Sequence, residues 1–447
     1  PDAAAQRSSF SERVHRLPRR APIRPGTSPA EMSDRLTPRP HDSYAALRHR
    51  EFRWFIVSLF AMVVGSQLQA VVVGWQVYGL THDPLSLGLI GLAEALPFIA
   101  VALPAGYLAD RRNRRTISVL SLFVLALCSL ALLVLSATPG LLARTGVVPV
   151  YVTIFASGIA RSILQPARQA MSAEIVPREM YQNAIAWRSS TWQTASVIGP
   201  AIGGLVYGFA GPVTAYGAAA LLMLIALGGF LRVAYTPQPR VSGDATMSAE
   251  LMTGLRFVWS EPAILGALSL DLFSVFLGGA EALLPVFASE ILKVGPQGLG
   301  LLRAAPAAGA VAMGVFLAHR RPFERAGRAM LVAVGVFAIG IIGFGLSRSF
   351  WLSLALLALS GMADNVSVVI RSTLIQVLTP REMLGRVAAV NSIFIGSSNE
   401  LGAFESGVAA RLIGAVRAVV LGGSAALVVV GLTARLVPRL RTLGRIV

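Results

Sequence analysis

Apolar runs of about twenty residues recur along most of this 447-residue chain, separated by short polar segments. About twenty such residues, coiled as a helix, cross the hydrocarbon core of a bilayer. On that measure the pattern predicts twelve spans, near 52–79, 85–109, 115–136, 148–175, 180–209, 213–234, 262–290, 296–319, 328–347, 351–377, 383–412 and 415–436. Several exceed the minimum length, which predicts tilt or overhang into water. Residues 1–50 carry ten arginines and several prolines with no apolar run, the pattern of a disordered basic tail. A native start at Met32 would make residues 1–31 a dispensable extension.

The longest later interruption, 235–261, reads as a linker between six-span halves at 51–234 and 262–436, and a basic tail follows at 437–447. Within the linker Met247, Leu251, Leu255 and Val258 recur at helical spacing. They predict either a helix in the membrane interface or an extension of the seventh span.

Composition agrees with lipid as the solvent. The chain is 55% hydrophobic and 14% charged, whereas soluble domains are nearer a quarter charged. The net charge of +17 is almost entirely arginine, with Lys293 the single lysine. These arginines fall between apolar runs rather than on one domain, and the tail lacks interleaved aromatic residues, so anionic lipid is the expected neighbour and nucleic acid is not. Clusters at Arg111–Arg115, Arg320–Arg328, Arg381–Arg386 and Arg435–Arg445 alternate with charge-poor loops near 81–84 and 210–212. By the positive-inside rule both termini are cytoplasmic. Cys128 is the only cysteine, and the five histidines are scattered, so no metal, cofactor or membrane-enzyme constellation is visible.

The chain also repeats itself. Gly158, Arg168 and Pro177-Arg178-Glu179-Met180 recur as Gly361, Arg371 and Pro380-Arg381-Glu382-Met383, at a constant offset of 203 residues. The same offset relates Gly199 to Gly402 and Gly204 to Gly407. Two parallel six-span repeats follow. Arg168 with Glu179 and Arg371 with Glu382 read as symmetric ion pairs at the cytoplasmic ends.

Charges inside a span cost about 2.5–3.5 kcal/mol each at mid-bilayer and should face a cavity or a partner. Arg161 and Asp364 occupy equivalent positions with opposite charge. They are expected at a central cavity, either as a static salt bridge or as a pair that protonation of Asp364 breaks. Glu94, Asp271 and Glu281 compete with Asp364 for a proton-coupling role. Arg188, Arg303, Glu400 and Glu405 are further charges within spans. Gln67, Gln69, Trp75 and Gln76 are candidates to line a substrate path.

Three motifs carry a resemblance. Gly106-Tyr-Leu-Ala-Asp110-Arg111-Arg112-Asn113-Arg114-Arg115 resembles the signature loop of the major facilitator superfamily, with Asn113 where a glycine is usual. Gly199-Pro200-Ala-Ile-Gly203-Gly204 resembles the antiporter signature of its exporters. The runs around Pro166-Ala-Arg168-Gln169, Arg371–Gln376 and Asn399–Gly407 are similar to the branch containing bacterial siderophore exporters. The resemblance implies an all-α membrane protein with two pseudo-symmetric halves, monomeric, in the bacterial cytoplasmic membrane. It implies a secondary transporter rather than an enzyme, exporting a small amphipathic molecule (a siderophore-like metabolite or a drug) against protons. A uniporter or importer is the alternative. It further implies a gate at Gly106, Asp110, Arg111, Arg112 and Arg115, and a bendable helix at Gly199–Gly204.

Overall fold

A computed structural model describes residues 42–235, 247–321, 323–380 and 382–444. Residues 1–41, which include Met32 and most of the predicted tail, lie outside the described residues, as does the linker stretch 236–246. Among those described there are helices and no strands.

The spans are α1 (Arg50–Thr81), α2 (Pro84–Arg111), α3 (Arg114–Ala137), α4 (Val148–Glu174), α5 and α6 (residues 181–210 and 212–232), α7 (Pro262–Gly278), α8 (Gly295–Ala318), α9 (Ala326–Leu346), α10 (Phe350–Leu378), α11 (Leu384–Ile413) and α12 (Ala415–Leu436). Helices α5 and α6 meet at Gly211, a residue with non-helical φ and ψ inside Tyr181–Arg232. Its φ of 79° suits glycine, and Pro212 follows. Among the described residues ten helical stretches are long and apolar enough to cross a membrane, Tyr181–Arg232 (α5 with α6) and Pro262–Ile291 (α7 with the turns after it) each counting once. Helix α11 falls short on composition, because Arg386, Glu400, Glu405 and Arg411 interrupt its apolar sequence.

Local chemistry sets several ends. Asp83 caps α2 by accepting from the Leu85 N–H at 3.0 Å, with Pro84 in the first turn. Asn113 caps α3 by accepting from the Arg115 N–H at 2.9 Å.

Two expectations need correction. The seventh span is not one helix over 262–290: α7 ends at Gly278, and the chain continues as a 3-10 turn (Glu281–Leu283), a short α segment and a π turn (Phe287–Ile291). The pair Gly278-Gly279 weakens the helix there, and Glu281 therefore sits on a turn. The tail does not run to residue 50, since Ala45–Arg48 is helical and the buried Ala46 donates its N–H to Asn183 Oδ1 at 3.0 Å. A short helix, Pro139–Thr145, also occupies the loop after α3.

The linker helix, Met247–Ser260, stops before Glu261-Pro262 and is separate from α7. Val258 is fully buried, and a Cβ on Gly254 would come 2.9 Å from the Arg386 carbonyl, so this helix rests on the start of α11.

Each half packs its own core. Phe52, Phe55, Leu122, Met171 and Phe230 anchor one in the first half. Ile264, Leu268, Met330, Leu374 and Val387 anchor one in the second. A third cluster belongs to both, joining Val71, Tyr78 and Leu87 to Leu284, Phe287 and Leu299. It lies at the end of the charge-poor loops and closes the molecule there. Asp83 and Arg411, 3.3 Å apart, and a hydrogen bond from the Tyr78 hydroxyl to Glu290 tie the halves at the same end.

Helix contacts inside the bilayer gain little from hydrophobicity, because lipid tails are as apolar as leucine; close approach of small residues does the work. Here α5 meets α8 through Gly204 and Gly300, and α2 meets α11 through Gly88 and Gly407.

Candidate functional site: a charged cavity between the halves

A cavity of about 530 Å³ lies between the two halves. Its charged lining comes from Glu94 of α2, Arg161 of α4, Glu281, Arg303 of α8, Asp364 of α10 and Glu400 of α11. A void of this size suits a drug-sized molecule.

Proline and glycine place the first two groups. A Cβ on Gly158 would come 2.7 Å from the Pro97 ring, so α4 lies directly on α2 one turn from Glu94. Arg161 then forms an ion pair with Glu94. Both side chains keep contact with the cavity, at 40% and 24% exposure. The expected pairing of Arg161 with Asp364 is therefore not the one formed. Asp364 faces the same cavity from the other half, and among the described residues it makes no ion pair.

The second half repeats the frame with the charges exchanged. Gly361 packs on Pro306 as Gly158 packs on Pro97. An offset of 209 residues relates Glu94 to Arg303 and Pro97 to Pro306. The acid–base order Glu94/Arg161 thus becomes Arg303/Asp364. Arg303 was visible in the sequence as a charge within a span, but its relation to Glu94 needs an offset different from that of the α4–α5 repeat. Glu400 comes from α11 and faces Glu94, Arg161 and Arg303.

Other candidates sit elsewhere. Asp271 is paired with Arg371, and at 8% and 4% exposure both are buried away from the cavity. This replaces the expected Arg371–Glu382 pair. Glu382 is exposed beyond the break at Thr379-Pro380, whereas a guanidinium held in the bundle needs a buried counter-ion. The Arg168–Glu179 pair is also not formed. Arg168 lies 3.9 Å from Met62 Sδ and 5.4 Å from the centre of the Trp192 ring, while Glu179 is exposed.

Gln67 and Gln76 do not line the cavity. Gln67 lies at the α1–α5 contact, where a Cβ on Gly199 would meet its Cβ at 2.6 Å. Gln76 bonds Ser136 and the Tyr216 hydroxyl, each at 2.8 Å. Gln69 does face the cavity and accepts from Ser129 Oγ at 2.7 Å.

In the antiporter-like motif the glycines face two ways. Gly199 and Gly203 admit α1, with Cβ positions 3.0 Å from the Val64 and Leu68 carbonyls. Gly204 admits α8, with a Cβ position 2.4 Å from the Pro296 carbonyl and 2.7 Å from Gly300 Cα. Pro200 is buried between them, and its carbonyl lies 2.5 Å from a Cβ built on Gly300.

In the signature loop Gly106 lies in the last turns of α2, and Arg111 and Arg112 are exposed at its end. The Asp110 side chain lies outside the described residues. Arg115 donates to the Leu231 carbonyl at 2.6 Å, at the C-terminal end of α6, where the helix dipole favours a cation. Arg114 pairs with Glu174 at the end of α4, and Glu174 also accepts from the Tyr235 hydroxyl. The pair Arg114–Glu174 was not singled out in the sequence, since its members are 60 residues apart.

The fold and this cavity define a polytopic transporter. A family model described as "Transmembrane secretion effector", of the major facilitator superfamily, matches residues 41–445, and the chain belongs to that family. The enterobactin exporter of Citrobacter koseri is 30% identical over 347 residues, covering 76% of this chain and 80% of the relative. Enterobactin exporters of Escherichia coli strains match at 30% over 348 residues. Among solved structures, a bacterial homologue of the human lysosomal transporter Spinster, inward-facing and unoccupied, aligns with a TM-score of 0.64 at 14% identity, over 88% of this chain and 98% of that one. A POT family transporter in complex with 5-aminolevulinic acid aligns at 0.66 with 11% identity, covering 88% and 96%. The protein is a multi-pass membrane transporter with the all-α fold of this superfamily, not an enzyme.

Proposed function

We propose that this protein is a proton-driven antiporter that exports a small amphipathic molecule, siderophore-like or drug-like, across the bacterial cytoplasmic membrane by alternating access. The observation that carries the reading is the cavity between the halves, where carboxylates and guanidinia from both halves meet. The relationship to enterobactin exporters favours export and a siderophore-like cargo. With the basic loops on the cytoplasmic side, the sealed end faces outward and the cavity loads from the cytoplasm.

Asp364 is the proposed proton carrier, because it faces the cavity from within a span helix and, among the described residues, makes no ion pair. Glu94 and Glu281 are the next candidates. Asp271, held by Arg371, is the least available of the four. The loop from Gly106 to Arg115 is proposed as the cytoplasmic gate.

The test is transport in proteoliposomes under an imposed pH gradient, with a panel of catecholate siderophores and lipophilic dyes. Wild type is compared with Asp364→Asn. Gradient-driven movement lost in the variant is expected. Movement that follows the gradient equally well in the variant transfers the role to Glu94 or Glu281. Movement indifferent to the gradient removes the antiport reading and leaves a facilitator.

A further inference from the structure

The two halves treat the same arginine differently. Arg371 of α10 reaches α7 and is neutralised there by Asp271. Its mate, Arg168 of α4, reaches α1 and meets Met62 instead. Met62 and Asp271 are related by the same 209-residue offset as Glu94 and Arg303. The counter-ion present in one half is thus a thioether in the other.

The charge nearest Arg168 adds to its own. Arg188 of α5 lies beside it, with Nη1 2.8 Å from Ser172 Oγ. Among the described residues neither arginine pairs with a carboxylate. Spacing explains the arrangement. Arg168 and Ser172 are one turn apart on α4, and Arg188 and Trp192 are one turn apart on α5. The two faces meet as a ladder, Arg168 over the Trp192 ring and Ser172 against Arg188. Trp192 is 45% exposed, so its ring remains reachable, with the half-buried Arg168 against it.

Two adjacent guanidinia without a counter-ion are costly unless a mobile anion visits them. One of them stacked on an indole selects an anion that carries a flat ring. Arg161 of the cavity lies two turns along α4 from Arg168, on the same face and about 10 Å away. The ladder therefore stands between the basic end of the molecule and the cavity.

We propose that Arg168, Arg188 and Trp192 form a capture site for an anion borne on an aromatic ring, passed from there to the central cavity. The site deepens the export reading and rests on it for the direction of travel. Met62 is the residue that keeps it open, because an aspartate there would reproduce the neutralised pair of the second half.

The experiment is equilibrium binding of radiolabelled salicylate to the full-length protein in detergent, without a gradient. Cyclohexanecarboxylate and inorganic phosphate serve as competitors. Salicylate is expected to bind more tightly than either. Met62→Asp, Arg168→Gln and Arg188→Gln should each weaken it by about tenfold or more, and Trp192→Leu should erase its advantage over cyclohexanecarboxylate. Wild-type affinity in both Arg168→Gln and Met62→Asp overturns the site, as does phosphate or cyclohexanecarboxylate binding as well as salicylate. Arg188→Gln and Trp192→Leu keep the test decisive where a substitution in α1 or α4 fails to fold. Transport on the same preparations separates the two readings. Cargo movement with salicylate binding unchanged in the variants removes the capture site and leaves export standing. Salicylate binding lost in the variants supports the site even where no cargo in the panel moves.

Discussion

Gly204 of α5 lies against Gly300 of α8, with each Cα within 3 Å of a Cβ built on the other. The equivalent contact in the other pair of helices is Gly407 of α11 on Gly88 of α2, where a Cβ on Gly407 would come 2.6 Å from Gly88 Cα. Even the flanking contacts repeat, since Gly204 faces the Pro296 carbonyl and Gly407 faces the Pro84 carbonyl. The halves are therefore sealed at one end by two copies of a single backbone contact, and neither copy has room for a methyl group.

Substituting valine at Gly204 should hold this end apart. Transport by Gly204→Val is expected to fall by more than tenfold, while the protein still inserts and purifies. Gly217→Ala is the control, because only Leu133 Cδ1, at 4.0 Å, borders its Cβ position. Alanine there is expected to be neutral or to stabilise by up to about 1 kcal/mol. Equal transport by Gly204→Val and wild type would show that the contact plays no part in closure.

The buried pair Asp271–Arg371 should dominate the stability of the second half. Removing one partner of such a pair costs about 3–5 kcal/mol, since the other charge is left without compensation. Asp271→Asn and Arg371→Gln should each lower the thermal midpoint in detergent by several degrees. The double replacement Asp271→Leu with Arg371→Met should recover most of the loss. A double variant no more stable than the singles would mean that the pair does more than neutralise charge.

The cavity pair predicts a different pattern. Glu94 and Arg161 keep contact with the cavity, so Glu94→Gln is expected to leave folding intact and to reduce transport about tenfold or more. Exchanging the residues, Glu94→Arg with Arg161→Glu, reproduces the order found at Arg303 and Asp364. Transport in the exchanged protein above that of either single variant would establish that the pair acts as a unit. No recovery would assign each residue a separate role.

Asn113 stands where the resemblance to the signature loop led to an expected glycine, and its cap explains how asparagine serves there. Its φ of −64° demands no glycine, and its side chain accepts from the Arg115 and Thr116 N–H groups. Asn113→Ala should destabilise by about 1 kcal/mol, and Asn113→Gly by only a few tenths. Thermal unfolding of the two variants checks this; equal losses would show that the cap is not made.

Much of this molecule follows from hydropathy alone. The number of spans, their approximate limits and the repeat at 203 residues are carried by local runs of residues, and the structure reproduces them wherever a helix is continuous. The exception at Gly278-Gly279 is instructive. The run 262–290 is apolar apart from Asp271, Glu281, Glu290 and three serines, but hydropathy does not sense a helix that relaxes into 3-10 and π turns once neighbouring helices hold its backbone.

The charges followed another rule. Their positions within spans marked Glu94, Arg161, Asp364 and Arg371 as residues that must face a cavity or a partner. Which partner each takes was decided by helix packing. Proline and glycine set α4 on α2, and so gave Arg161 to Glu94 rather than to Asp364. The reach of α10 to α7 gave Arg371 to Asp271, while the same reach of α4 to α1 left Arg168 on a methionine. A sequence specifies the cost of each buried charge, because that cost depends on the residue and the lipid around it. The compensation depends on distances between helices far apart in the chain, and only the packed bundle determines those.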